Sequence, residues 1–236
     1  MELTRRMQAV ANLVSSGYKM ADIGTDHAYI PIYLMEQGKI SLAVAMDIHE
    51  GPLKRAEEHI LENALLDRIE IRLSDGFEKL TPSEVDSAVI AGMGGALIMR
   101  ILTKNRNVTM SLKECILQPQ SEIAKVRAFL LQEGFLFIDE DMVLDEGKFY
   151  PVMKVQPPGE KIQNTVVWTK TEIQYGKCLL EKRHPVLKKY LEKEKALKSE
   201  LLENLKKHDS VHAKKRINEL RQELNNTEKG LEYYAL

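Results

Sequence analysis

Over its first 155 residues the chain alternates short apolar runs with longer stretches in which apolar residues recur at helical spacing. Leu3 to Val14 reads as an opening helix and Lys19–Gly24 as a strand. A helix over Tyr29–Glu36 and a second strand over Leu42–Ile48 follow. Gly51 and Pro52 open a helix reaching about Leu66, since proline is tolerated in a first helical turn, where its missing N–H has no intrahelical acceptor. Further strands are predicted over Ile69–Leu73, Ser87–Ala91 and Glu114–Gln118, with helices over Ala96–Leu102 and Ile123–Glu133 between and after them. The last two strands, Phe135–Leu144 and Phe149–Gln156, are joined through Asp145-Glu146-Gly147, a hairpin signal. Strands alternating with helices imply βαβ units in a mostly parallel sheet, and the closing hairpin adds an antiparallel strand.

Pro157-Pro158-Gly159 reads as a linker, beyond which Lys, Glu and Leu dominate. Pro185 stands where a long helix would begin. Leu187, Tyr190, Glu194, Leu197, Leu201, Asn204 and His208 then recur at three- and four-residue steps. Ile217, Leu220, Leu224, Thr227, Leu231 and Tyr234 form a second such set. Lys207-His208-Asp209-Ser210 lies between them as a turn with a capping serine, so the pattern predicts an antiparallel, coiled-coil-like helical hairpin. The expected domains are 1–158, an α/β domain of Rossmann-like type with a seven-stranded, mostly parallel sheet, and 159–236, a helical hairpin.

Charge sharpens that division. The net charge of −1 hides a balance of −6 over residues 1–158 and +5 over residues 159–236. A basic arm on an acidic body fits nucleic acid, although a solvated helical surface fits equally well on charge alone. The chain is 236 residues long, 44% hydrophobic and 29% charged. No apolar run approaches the roughly 20 residues of a membrane span, and MELTRRMQAVANLV lacks the apolar core of a signal peptide. Cys115 and Cys178 cannot build a disulfide framework, and the six histidines show no ligand spacing, so a cytoplasmic protein without metal is expected; a monomer is expected too, though no residue pattern fixes the oligomeric state.

The chemistry concentrates at predicted strand ends, where ligands bind in such sheets. Asp22-Ile-Gly-Thr-Asp-His follows the first strand with one glycine, Gly24, where a dinucleotide fold uses three to admit pyrophosphate. Thr25 and Asp26 would crowd and repel a pyrophosphate, so the loop suits a phosphate-free adenosyl ligand with an ammonium or sulfonium group. Asp47 closes the second strand, where an acid accepts from ribose hydroxyls, with Ile48 beside it. Asp75-Gly76 follows the third, where a carboxylate can receive an adenine amino group. Each acid alone could be a helix cap; three at consecutive strand ends favour a ligand site. Ala91-Gly92-Met93-Gly94-Gly95 follows the fourth strand and allows close backbone approach, as a floor under a methyl group or as a tight turn. The amides of Leu117-Gln-Pro-Gln120 suit a base edge or a helix cap, and the residues do not decide which.

MADIGTDHAYIP, AGMGGALI and ILQPQ, with LTRRMQAVA ahead and a basic helical tail behind, resemble the bacterial tRNA adenine-N1 methyltransferases of the TrmK type. The resemblance covers essentially the whole chain and is strongest over residues 3–155. It implies an S-adenosylmethionine-dependent enzyme that methylates N1 of an adenine in the D-arm region of tRNA. It further implies that Asp22 and Gly24 shape the cofactor loop, Asp47 holds the ribose and Asp75 the adenine. Gly92, Met93 and Gly94 would border the methyl donor, and Asp26, His27 and Tyr29 would face the substrate. Among these, Asp26 is the candidate for stabilising the positive charge that the base acquires. The segment TDHAY is expected to form the first turn of the following helix. On the residues alone, three rivals stand beside this reading: a methyltransferase with another substrate, a nicotinamide dehydrogenase lacking its glycine fingerprint, and a non-catalytic RNA-binding protein.

Overall fold

The computed structural model describes residues 1–158, 167–207 and 210–235. The chain divides into two compact units, Met1–Thr165 and Val166–Leu236. Gly159 of the linker, and His208 and Asp209 of the predicted turn, lie outside the described residues.

The first unit runs α1 (Arg5–Leu13), β1 (Met20–Ile23), α2 (Tyr29–Glu36), β2 (Ala43–Asp47), α3 (Glu50–Glu62), β3 (Ile69–Leu73) and β4 (Ser87–Met93). It continues with α4 (Gly95–Lys104), α5 (Arg106–Ser111), β5 (Glu114–Pro119), α6 (Ile123–Gln132), β6 (Leu136–Asp145) and β7 (Lys148–Gln156). One seven-stranded sheet results, in the order β3-β2-β1-β4-β5-β7-β6. The pairings from β3 through β5 are parallel, and β7 runs antiparallel to both of its neighbours. This is a Rossmann-like sheet with a reversed strand near one edge. Its strand order reverses between β1 and β4, so the switch-point crevice opens at the carboxyl ends of those two strands.

Alternation along the strands feeds two cores. Ala21, Ile23, Ala88, Ile90, Cys115 and Leu117 join one face, with residues of α4 and α6. Met20, Val89 and Ile116 join the other, with residues of α1, α2 and α3. A period of two therefore puts Asp22 on the same face as Met20, a position otherwise filled by apolar side chains. The β6–β7 hairpin closes with Asp145 opposite Lys148 and positive φ at both Glu146 and Gly147. Those dihedrals are the primed turn that the right-handed twist of paired strands demands. On α6, Arg127 Nε donates to Glu140 Oε1 of β6 at 2.8 Å, and both side chains are fully buried.

Residues 25–28 depart from the sequence expectation. They form an irregular turn with Asp26 and Ala28 at positive φ, so α2 starts only at Tyr29 and TDHAY is not a helical turn.

The second unit holds α7 (Lys170–Tyr175), α8 (Lys177–Glu181), α9 (Pro185–Leu205) and α10 (Val211–Glu232). Two short helices thus precede the expected pair. A capping box at Thr169 and Glu172 starts α7, and the Ser210 hydroxyl caps α10 by accepting from Ala213 N. Gly230 packs against Leu191, Lys195 pairs with Glu228 and Lys198 donates to Thr227, so α9 and α10 are antiparallel. The seam differs from the heptad reading: Leu197 and Leu201 are 56% and 44% exposed. Leu187 is buried and Glu194 half-buried as that reading has them, but Leu191 and Leu202 are the other buried leucines, with Lys198 half-buried between them. Polar residues enter that seam because Tyr175 and Tyr190 both donate to Glu194, and Lys198 completes the network.

Candidate active site

Asp22 lies in β1, one residue before the strand's carboxyl end at the switch-point crevice. Its Oδ2 accepts from the Thr25 hydroxyl at 2.7 Å. Burial pushes its carboxyl up to about 6, against the pull of that hydrogen bond, and the Asp47 carboxylate adds to the rise. Gly24 then turns with φ +75, and its N–H and that of Thr25 both donate to Met46 O. A Cβ on Gly24 would stand 2.3 Å from Met93 Cε, so the loop after β1 and the end of β4 touch across the crevice.

Met93 reaches that point because β4 is irregular. Gly92 adopts φ +78 and the β4–β5 register shifts between Ala91 and Met93, a bulge that only a residue tolerant of positive φ accommodates easily. Gln118, fully buried, holds the bulge: its Oε1 accepts from Gly92 N at 3.1 Å and from Arg6 Nη1 at 3.2 Å. Its Nε2 donates to the carbonyl of Pro119. The Gln118 amide is therefore committed to the scaffold, while the exposed Gln120 lies beside Gly92. Gly94 caps the start of α4.

Asp47 ends β2 and accepts from His49 N through Oδ1, and Ile48 beside it is 52% exposed. Asp75 follows β3, with Gly76 buried behind it. Its two oxygens accept from Lys104 Nζ and Arg100 Nη2, both at 3.0 Å. The Lys104 hydrogen bond, helped by the Arg100 charge, holds the Asp75 carboxyl below the usual carboxylate range.

The second half of the opening motif forms a separate cluster. Asp26 is exposed, with Oδ1 accepting from Arg55 Nη2 at 2.6 Å and Oδ2 3.6 Å from His27 Nε2. The rings of His27 and Tyr29 stack with centroids 5.0 Å apart and planes 6° from parallel. His59 of α3 lies 5.1 Å from the first ring and 5.2 Å from the second, and its Nδ1 is 3.1 Å from His27 O. His27 Nδ1 is buried with no hydrogen-bond partner among the described residues. The fold thus brings Asp26, His27 and Tyr29 together, and Asp22, Gly24, Gly92, Met93 and Gly94 around the crevice. Arg55, His59 and Arg6 complete these groups without having been singled out in the sequence. For His59 a signal existed, since it lies three residues from Ala56 on the buried side of α3. Among the described residues no His/Cys/Asp/Glu group could hold a metal, and no helix is long and apolar enough to cross a membrane.

A buried acid, Asp22, with the half-buried Asp47 near it and two bare glycine backbones beside it, fits a cationic ligand without phosphates, such as the amino-acid and sulfonium part of S-adenosylmethionine. The comparisons agree with that chemistry. A family model described as TrmK, tRNA (adenine(22)-N(1))-methyltransferase, matches residues 20–229. The chain belongs to this family. The TrmK assignment is reinforced by the tRNA (adenine(22)-N(1))-methyltransferase of Bacillus subtilis strain 168, 38% identical over 153 residues. That alignment covers 65% of this chain and 64% of the relative, so it spans just under two thirds of each. The crystal structure of the Bacillus subtilis tRNA methyltransferase TrmK superposes with a TM-score of 0.83 at 30% identity, covering 98% of this chain and 99% of that one. Streptococcus pneumoniae Sp1610 in complex with S-adenosyl-L-methionine also gives a TM-score of 0.83, at 28% identity, covering 98% and 100%.

Proposed function

We propose that this TrmK-family chain transfers the methyl group of S-adenosylmethionine to N1 of adenine 22 in tRNA. The observation that carries the reading is the buried Asp22, its carboxyl raised by burial and further by Asp47, set between Gly24 and the Gly92 bulge at the switch point. When bound, the cofactor supplies an electrophilic methyl on a positively charged sulfur. Asp22 attracts the cationic end of the cofactor, and Gly24 lets its backbone approach. Asp47 accepts from the ribose hydroxyls. The exposed Ile48 and Asp75-Gly76 would hold the adenine end, where Asp75, already accepting from Arg100 and Lys104, would also receive the adenine amine. Gly92, Met93 and Gly94 border the methyl group.

Adenine N1 has an in-plane lone pair, so no base has to remove a proton before attack. The demand on the protein is in-line placement within about 3–3.5 Å. Methyl transfer to N1 would release the sulfur as a neutral thioether and pass the positive charge to the adenine ring, and that charge is what the protein must stabilise. Asp26 stabilises that charge, through the oxygen turned toward His27, while Arg55 fixes its other oxygen. His27 and Tyr29, backed by His59, orient the base once it has left its stack. Lysines of the Val166–Leu236 unit contact tRNA phosphates. The enzyme works as a cytoplasmic monomer.

Incubation with unmodified tRNA and labelled S-adenosylmethionine, followed by nucleoside analysis, tests the activity. N1-methyladenosine is expected, and its absence refutes the proposal. Replacing Asp26 by Ala is expected to lower turnover by about a hundredfold or more with cofactor affinity intact; unchanged turnover removes Asp26 from the mechanism.

A further inference from the structure

The first helix carries a cation whose position the cofactor site does not explain. Arg6 is fixed from three sides. Its backbone N–H donates to Asp145 Oδ2 at 3.2 Å, its Nη1 donates to Gln118 Oε1 at 3.2 Å, and its guanidinium stands over the Tyr150 ring at 5.9 Å from the centroid. A Cβ on Gly92 would lie 3.4 Å from Arg6 Nη1, so the charge sits directly against the bulge that borders the proposed methyl-transfer point. Arg6 makes no ion pair with any described residue. Asp145 takes the backbone donor instead, and Gln118 is neutral.

A fixed guanidinium at this point works against the chemistry unless an anion accompanies the substrate. The cofactor arrives with a positive sulfur and the product base leaves with a positive ring, so an unmatched arginine would raise the energy of both. Nucleic acid brings the missing charge. We propose that Arg6 binds a backbone phosphate of the target nucleotide or its immediate neighbour. It would thereby lock the extruded adenine over Gly92 and Met93. Guanidinium suits this role because one N–H is spent on Gln118 and four remain in a rigid fork for phosphate oxygens. Gln118 becomes a positioning residue that couples the phosphate clamp to the Gly92 bulge.

The inference rests on the tRNA-methyltransferase reading, and its test separates the two. Arg6→Gln keeps a donor for Gln118 and removes the charge; Arg6→Lys keeps the charge and loses the fork. For each full-length variant, tRNA affinity is measured by fluorescence anisotropy across a salt series, with cofactor affinity by calorimetry and a thermal melt alongside. Arg6→Gln is expected to weaken tRNA binding about tenfold at low salt. Its slope of log affinity against log salt should be smaller than wild type by about 0.7–0.9, one phosphate contact. Arg6→Lys is expected to keep the wild-type slope, and both variants to keep cofactor affinity and melting temperature. An unchanged slope in Arg6→Gln overturns the proposal. So does an equal loss in both variants, which would make Arg6 a staple for α1. Weakened cofactor binding in Arg6→Gln would also overturn it, by moving Arg6 to the carboxylate of the cofactor. If wild type fails to methylate tRNA while the slope difference persists, the activity reading fails and the phosphate clamp stands.

Discussion

Asp22 offers the sharpest test of the electrostatics, because its carboxyl is buried at a position that the β-strand pattern assigns to an apolar side chain. Replacement by Asn keeps the shape and lets the side chain accept from Thr25 while removing the charge. The carboxyl is raised from 3.8 to about 6, roughly two pH units of preference for the protonated form in the folded state. At 1.36 kcal/mol per unit, ionisation at neutral pH costs the folded state on the order of 3 kcal/mol. The sign follows from proton counting. Below 3.8 the group is protonated whether folded or unfolded and contributes no difference. Between 3.8 and about 6 only the unfolded chain ionises it, so stability falls as pH rises, and above 6 the full cost is present. Asp22→Asn is therefore expected to be more stable than wild type. The gap should widen by about 2 kcal/mol between pH 4.5 and pH 8, read by urea unfolding at each pH. The same variant should lose most of its stabilisation by S-adenosylmethionine, since the cationic ligand loses its counter-charge. In wild type, cofactor affinity should fall as pH drops through 6. A variant less stable than wild type at pH 8, or a gap independent of pH, refutes the account of Asp22 as a strained, ligand-directed acid.

Two further substitutions probe packing. Gly24→Ala forces a side chain onto a residue at φ +75 and drives its Cβ to 2.3 Å from Met93 Cε. Cofactor affinity is expected to fall about tenfold, with about 1–2 kcal/mol of strain in the folded state, and calorimetry showing wild-type affinity would contradict the close approach of the two loops. Glu140→Ala leaves Arg127 buried without its 2.8 Å partner. The first unit should lose about 3–5 kcal/mol, lowering its melting temperature on the order of 10 °C, while cofactor affinity at low temperature stays unchanged. A melt within 2–3 °C of wild type would show that the interior admits water to the guanidinium.

The central strands were legible because they are covered on both faces: β1 and β5 are buried throughout, and such strands read as short, mainly apolar segments with few polar interruptions. The β6–β7 turn was legible from Glu146-Gly147, since glycine at the second position accepts the positive φ of a primed turn. The α9 seam was legible only in part, at Leu187, Tyr190 and Glu194. Leucine at 197 and 201 satisfies a heptad by type, yet Glu194, which accepts from the Tyr175 and Tyr190 hydroxyls, and Lys198, which donates to Thr227, take the inner side and leave those leucines out. Residues 25–28 failed for a related reason. Asp26 and Ala28 occupy left-handed backbone that neither residue type announces, held by contacts with Arg55 and the packing of α2. Helices α5, α7 and α8 are five or six residues long, too short for periodicity to register.

At the site, local spacing revealed the groups that one strand end supplies and missed those that packing brings from afar. Asp22, Asp47 and Asp75 could be found because each follows its own apolar run. Arg55 and His59 meet the opening motif from 29 and 32 residues away, and Arg6 meets Gln118 across 112. These distant partners change what the legible residues do. Arg55 fixes one oxygen of Asp26, leaving a single oxygen on the His27 side, and Lys104 and Arg100 keep Asp75 ionised. Asp22 alone is left to burial and a neighbouring carboxylate, so it is the acid that gains most when a cation arrives. The two ends of the crevice thus carry opposite demands: an unneutralised acid under the proposed cofactor and an unneutralised arginine beside the bulge. A ligand cationic at one point and a substrate anionic at another satisfy both, as a sulfonium donor and a nucleic-acid acceptor do together.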